Sequence, residues 1–242
     1  MNNPIGIFDS GIGGLTILEE IKKLLPYENI IYYADSKNNP YGIKSDLELY
    51  KITNNIVKYL INKKCKIIVI ACNTATTRCI SYLREKYPSI TFIGTEPAIK
   101  LASDNNHHNI LVLATKATTN SLKVKKLIDQ NKKENQNIYL QECEGLANAI
   151  ENKNKRLIKS LLDKYLTIYQ NKNIDAIVLG CTHYPYIKDK IFKYFQNVKI
   201  YDSSYGVAKE TKRKIIELNL LNDSNLKGNI IFKKTKRATM HS

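Results

Sequence analysis

Ile67-Ile68-Val69-Ile70-Ala71-Cys72-Asn73-Thr74-Ala75-Thr76-Thr77 is the run whose reading decides the fold. Its apolar, mostly β-branched opening reads as a short strand buried on both faces, the kind found in parallel sheets. The strand ends abruptly in Cys72, and the small polar residues after it open a helix. A thiol at that junction stands at the carboxyl edge of a sheet, beside unpaired helix amides. Open α/β sheets place their ligands there, and a thiol's pKa is lowered there. The chain repeats the arrangement at Asp175-Ala176-Ile177-Val178-Leu179-Gly180-Cys181-Thr182-His183-Tyr184-Pro185. Two strand-end thiols suggest one site with two reactive faces.

Outward from these runs, strands alternate with helices along the whole chain, which means βα units and parallel sheets. Pro4 to Phe8 is a strand, and Asp9-Ser10-Gly11-Ile12-Gly13-Gly14 leads into a helical stripe of Leu15, Leu18, Ile21, Leu24 and Leu25. That loop resembles a dinucleotide fingerprint with Asp35 about twenty residues on, but Thr16 stands where the third glycine belongs, which argues against NAD. Asp9 is either an N-cap or a functional carboxylate at a strand end. Ser45 and Glu48 form a capping box that starts the next helix. Further strands are expected at Ile90–Ile93, Ile110–Ala114, Ile138–Leu140 and Val198–Tyr201, with an edge strand at Asn229–Phe232. A helix is expected to run from the second thiol to Phe195. Thr115-Lys116-Ala117-Thr118 is a hydroxyl-rich loop that either caps a helix or binds a carboxylate. Glu151, read on its own, is a surface charge. No low-complexity linker separates the halves, one centred on Cys72 and the other on Cys181.

The bulk numbers narrow the class. The chain has 242 residues, 43% of them apolar, which is enough for one large or two small globular cores. No segment approaches the roughly 18 to 20 apolar residues of a membrane span. The Met1-Asn2-Asn3-Pro4 start has no basic region or cleavage site, so no signal peptide is expected and the cytoplasm is the default. Five cysteines there should be thiols. Net charge is +16, from 38 Lys+Arg against 22 Asp+Glu. That would suit nucleic acid, but the lysines are scattered, and only Lys233-Lys234-Thr235-Lys236-Arg237 is dense. No nucleic-acid-binding motif is present, and compositional bias accounts for the charge better.

For the thiol pair, a disulfide does not suit the cytoplasm. A metal site wants more ligands than Cys181-Thr182-His183 offers in a chain with four histidines. A Cys-His hydrolase would leave the second thiol unexplained. Proton exchange at one carbon from opposite faces uses both, one as base and one as acid. The step needs neighbours that move thiols from a pKa near 8.5 toward working pH. Asp9 and His183 are placed to do so. Cys65 and Cys79 read as packing.

These residues carry a resemblance. Gly6-Ile7-Phe8-Asp9-Ser10-Gly11-Ile12-Gly13-Gly14-Leu15, Pro40-Tyr41-Gly42, Ala71-Cys72-Asn73-Thr74-Ala75 and Gly180-Cys181-Thr182-His183-Tyr184-Pro185 together resemble the glutamate racemases of the cofactor-independent aspartate/glutamate racemase superfamily. The resemblance implies an α/β fold of two doubly wound parallel-sheet domains facing each other across an active-site cleft. The C-terminal segment would return to the first domain, giving boundaries of 1–95 plus 207–242 and 96–206. It implies interconversion of L- and D-glutamate with no cofactor and no metal, the D-enantiomer feeding peptidoglycan synthesis. Cys72 would act on D-glutamate and Cys181 on L-glutamate, assisted by Asp9 and His183, with Glu151 near the second thiol. Ser10, Tyr41, Gly42, Asn73, Thr74 and Thr182, with Asp9, would hold substrate, and Thr115 and Thr118 would join them. Around Glu151, Cys143-Glu144-Gly145-Leu146-Ala147-Asn148 departs from the commoner proline-containing run. A homodimer is the common assembly. Two alternatives stand beside this: an aspartate racemase, and a nucleic-acid or gyrase-associated binding protein.

Overall fold

The computed structural model describes residues 2–195 and 197–235, so the end of the basic tail, 236–242, lies outside them. The chain divides into two compact units, one holding residues up to 95 and those from 204 onward, the other holding 96–203.

The first unit begins β1 (Ile5–Asp9), α1 (Leu15–Leu24), β2 (Ile30–Ala34), α2 (Asp46–Asn62), β3 (Ile67–Ile70), α3 (Asn73–Lys86) and β4 (Phe92–Gly94). The second unit follows with α4 (Ile99–Asp104), β5 (Asn109–Ala114), α5 (Lys116–Thr119), α6 (Leu122–Asn131), β6 (Asn137–Glu142), α7 (Leu146–Glu151), α8 (Lys155–Leu166), β7 (Ala176–Gly180), α9 (Lys188–Ile191) and β8 (Lys199–Tyr201). The chain then returns to the first unit through α10 (Ser204–Glu217) and β9 (Ile230–Lys234).

Both sheets are wholly parallel. The first runs β4-β3-β1-β2-β9 and the second β6-β5-β7-β8. The continuous apolar strands follow from helices on both faces. In the first sheet Ile5, Ile7, Ile67 and Val69 pack with Ile17, Ile21, Val207 and Ile215 of α1 and α10. Phe8, Ile68 and Ile70 pack on the other face with Leu49, Leu60, Cys79 and Leu83 of α2 and α3. The second sheet is likewise covered on both sides. The expected capping box is present: Ser45 Oγ accepts from the Glu48 N–H at 3.3 Å, and Glu48 Oε2 accepts from the Ser45 N–H at 2.8 Å.

One expectation fails in an informative place. The long helix anticipated between the second thiol and Phe195 is instead a 3-10 turn at Tyr184–Ile187, the four-residue α9, and a second 3-10 turn at Phe192–Tyr194. Pro185 falls in the first turn, where a missing N–H costs nothing, but Tyr184 is fully buried with its hydroxyl on the Cys143 carbonyl at 3.3 Å. That anchor holds the chain in a tight turn where periodicity alone suggested a helix.

Candidate active site

Strand order places both thiols. In the first sheet the chain leaves β1 for β2 on one side and then crosses to β3 on the other. The reversal makes the β1/β3 pair the point where an open α/β sheet leaves a crevice for ligand. Asp9 ends β1, and Cys72 follows β3. The second sheet does the same at β5 and β7, whose last residues Ala114 and Gly180 are paired. Thr115 and Cys181 come next on those two strands. A side chain at Gly180 would put its Cβ 2.9 Å from Ala114 Cβ and 3.1 Å from the Leu113 carbonyl, so only glycine lets the thiol strand close this tightly on β5.

Cys72 serves as the N-cap of α3, its Sγ accepting from the Ala75 N–H at 3.5 Å. The helix start favours negative charge on that sulfur. Ser10 Oγ lies 4.0 Å from the same sulfur. Asp9 is fully buried, and its Oδ2 accepts from the Gly11 and Gly14 N–H groups at 3.3 and 3.0 Å. The N-cap reading of Asp9 does not hold, since Gly14 is the N-cap of α1 and no side chain caps it; the carboxylate instead organises the glycine loop at the same sheet edge as the thiol. Thr74 is buried in the first turn of α3. Asn73 beside it is buried as well, and neither its Oδ1 nor its Nδ2 has a hydrogen-bond partner among the described residues. Each buried polar group left unmatched costs about 1–3 kcal/mol, a cost that a bound polar molecule would offset. Tyr41 and Gly42 form a single 3-10 turn, Tyr41–Ile43. Burial first, then the charge of Asp35, pushes the Tyr41 hydroxyl well above the usual tyrosine range, with Cys72 and Asp9 adding to it.

In the second unit Cys181 Sγ lies 3.9 Å from His183 Nδ1, and His183 Nε2 lies 2.7 Å from Glu151 Oε2. The histidine and carboxylate side chains are 2% and 7% exposed. The reading of Glu151 as a surface charge is thus overturned: the last residue of α7 turns inward onto the histidine. An ionised carboxylate only accepts, so Nε2 carries a proton and Nδ1 is left to face the thiol. Thr182 is buried beside Cys181. At the neighbouring strand end, Thr115 Oγ1 donates to Thr118 Oγ1 at 3.1 Å, and Thr118 is fully buried. The expected helix start is missing after Cys181, so the histidine–glutamate pair, not a helix terminus, is this thiol's polar support.

The other cysteines separate cleanly. Burial pushes the thiol of Cys65 up to about 12 and that of Cys79 up to about 11. Burial, followed by the charge of Cys181, raises Cys143 further. These stay protonated at neutral pH and fill core. Among the described residues no group of three or more His, Cys, Asp or Glu could hold a metal ion, and no helix is long and apolar enough to cross a membrane.

Asp35 carries no signal in the sequence beyond its place after the dinucleotide-like loop, and its position in the fold gives it another setting. It is buried one position beyond β2, and it accepts from the Tyr41 hydroxyl at 2.7 Å. The available signal was positional, since Asp9 and Asp35 occupy adjacent ends of paired strands.

Known proteins match this arrangement. The model of the Asp/Glu/Hydantoin racemase family matches residues 14–209. A glutamate racemase of Clostridium acetobutylicum is 43% identical over 233 residues, 95% of this chain and 90% of the relative. The crystal structure of glutamate racemase from Francisella tularensis in complex with D-glutamate superposes with a TM-score of 0.83 at 35% identity, covering 97% of this chain and 89% of that one. The Escherichia coli glutamate racemase, in complex with L-glutamate and the activator UDP-MurNAc-ala, gives 0.80 at 27% identity over 95% and 89%. Sequence and fold agree over nearly the whole length, and the chain belongs to the Asp/Glu/Hydantoin racemase family, among its glutamate racemases.

Proposed function

We propose that this chain racemises glutamate by proton transfer at Cα, with Cys72 and Cys181 as the two proton-transfer groups and no cofactor. The observation that carries the reading is the equivalent placement of the two thiols, each at the switch point of its own parallel sheet. Each has a different polar escort: the start of α3 with Asp9 and Ser10 for Cys72, and His183 with Glu151 for Cys181. Cys72 takes the proton of D-glutamate and Cys181 that of L-glutamate. The opposite thiol returns a proton, and the stereocentre inverts.

The difficulty is acidity, because an amino-acid α-proton is a far weaker acid than a thiol. The developing carbanion is stabilised by hydrogen bonds aimed at the substrate carboxylate. Asn73, whose buried amide lacks partners among the described residues, is assigned to that task with Ser10, Tyr41, Gly42, Thr74 and Thr182, and with Thr115 and Thr118 at the second sheet edge. D-Glutamate supplied in this way feeds peptidoglycan synthesis. The enzyme works in the cytoplasm as a homodimer, with its five cysteines as thiols.

Incubation of the purified protein with L-glutamate in D2O, with no cofactor added, tests the reaction class. Loss of optical rotation together with deuterium at Cα is expected, and unchanged rotation without exchange would sink it. The same assay with aspartate decides between the two amino acids.

Glu151→Gln separates the relay from simple packing. The amide no longer enforces a proton on His183 Nε2, so kcat should fall about 10²-fold, the lower end of what a positioned proton-transfer group contributes. Enantiomers are equal in free energy, so kcat/KM must fall equally in both directions. The asymmetry appears in isotope effects. That for α-deuterated L-glutamate should grow and that for the D-enantiomer shrink, as Cys181 becomes the slow partner. Equal isotope effects would remove Glu151 from the relay.

A further inference from the structure

Asp35 is 1% exposed, and its carboxylate accepts from neutral donors on three sides. Asn38 Nδ2 donates to Oδ1 at 3.0 Å and to Oδ2 at 2.8 Å, Tyr41 Oη donates to Oδ2 at 2.7 Å, and Thr235 Oγ1 donates to Oδ1 at 3.0 Å. The last donor comes from the far end of the chain. Thr235 follows β9, and its N–H continues the ladder by donating to the Ala34 carbonyl at 3.0 Å. Its hydroxyl also accepts from the Lys37 N–H at 2.9 Å, so a single side chain is gripped from both directions.

The turn at the other end of this network also rests on α3, with Tyr41 packed in one core with Cys79 and Leu83 and Arg78 Nη1 donating to the Lys44 carbonyl at 2.6 Å, but Asp35 is what its hydroxyl reads. Tyr41–Ile43 is one 3-10 turn flanked by extended Pro40 and Lys44, and no side chain caps it. Tyr41 is 2% exposed, and its hydroxyl is committed to Asp35.

We propose that Thr235 is a positioning residue for substrate binding, acting through Asp35 to fix the turn that carries Tyr41 and Gly42. This rests on the racemase reading, in which that turn holds the substrate. Without the Thr235 hydroxyl the Asp35 carboxylate loses one of its anchors and swings toward Asn38. Tyr41 then loses its fixed acceptor and the turn relaxes. Binding suffers more than chemistry, because both thiols and their escorts belong to elements other than β2 and this turn.

The test is steady-state racemisation of both glutamate enantiomers by the full chain with Thr235→Val, which keeps the shape, and Thr235→Ser, which keeps the hydroxyl. Thr235→Val should raise KM about 10-fold, in line with a hydrogen bond to a charged group, with kcat within about 2-fold. Thr235→Ser should restore most of the loss. In a Tyr41→Phe background, which lacks the hydroxyl that reads Asp35, Thr235→Val should change KM by less than about 2-fold, because coupled residues are not additive. Three results would overturn the assignment: an unchanged KM in Thr235→Val, an equal loss in the serine and valine variants, or an undiminished effect in the Tyr41→Phe background. If the parent chain itself leaves L-glutamate unexchanged in D2O, the racemase reading fails and this role goes with it. An active parent with an indifferent Thr235→Val removes this role alone.

Discussion

Cys72→Ser and Cys181→Ser each lower racemisation of glutamate by about 10²–10⁴-fold in both directions, the range contributed by a positioned acid or base. In the proposed two-base mechanism a complete turnover uses one thiol as base and the other as acid, so neither enantiomer can be inverted by a single remaining thiol. A serine hydroxyl fits the space but does not ionise near neutral pH, so it cannot take the sulfur's place as base. The two variants should nevertheless differ in a way that identifies each face. In D2O, Cys72→Ser retains Cys181 and its His183 Nδ1 contact at 3.9 Å, so it should still place deuterium into L-glutamate with retention of configuration. It should leave D-glutamate untouched. Cys181→Ser, which keeps Cys72 with the Ala75 N–H on its sulfur, should show the opposite preference. Proton NMR of the α-position, read alongside polarimetry, gives both quantities from one incubation. Near-normal turnover in either variant would show that the two-base assignment is wrong. Exchange of both enantiomers by one variant would show that a single group reaches both faces.

How much of this was legible beforehand differs between the thiols and their surroundings. The apolar runs Ile67–Ile70 and Ala176–Gly180, each stopping at a cysteine two positions or one position later, place both thiols at strand ends from local pattern alone. Period and composition report which residues are buried, so parallel sheets covered on both faces were readable as well. Strand order is a different kind of information. Nothing in the run around Cys72 says that β3 lies beside β1 rather than beyond β2, yet that neighbour relation puts Asp9 and the thiol at one switch point.

The carboxylates were harder for a related reason. Glu151 and Asp35 act through contacts 32 and 200 residues away in the chain, to His183 and Thr235 respectively. A charged residue on a short helical piece is ordinarily solvated, and no local spacing distinguishes the one that turns inward. The missing helix after Cys181 is the converse case. Apolar residues recur at helical intervals from Tyr184 to Phe195, but the buried Tyr184 anchors the backbone in a 3-10 turn. Tertiary burial overrode a local propensity there, as it often does in short segments.

Lys66→Met should be the most destabilising of the substitutions considered, because of a contact that composition hid completely. Among 38 Lys and Arg, Lys66 reads as another scattered surface charge. Its side chain is instead 2% exposed, and its Nζ stands 2.5 Å from Glu28 Oε2, which is equally buried. The ammonium also donates to the Leu220 carbonyl at 2.5 Å, and Glu28 Oε1 accepts from the Asn222 N–H at 2.8 Å. The pair therefore clamps the connection between α10 and β9, the segment that delivers Thr235 to Asp35. Removing the lysine leaves a carboxylate buried without its counter-ion, which costs about 3–5 kcal/mol. In a chain of this size each kcal/mol moves the melting midpoint by roughly 2–4 °C, so a drop of about 6–20 °C is expected by calorimetry. Charge and not shape is at issue, since methionine keeps most of the apolar stem. The double variant Lys66→Met/Glu28→Gln should accordingly recover more than half of the loss, because replacing both partners of a buried pair is often neutral and the glutamine oxygen can still accept from Asn222. A single variant that melts with the parent would mean that water reaches the carboxylate. A double variant no better than the single would mean that the lysine stem, and not the ion pair, holds the returning segment.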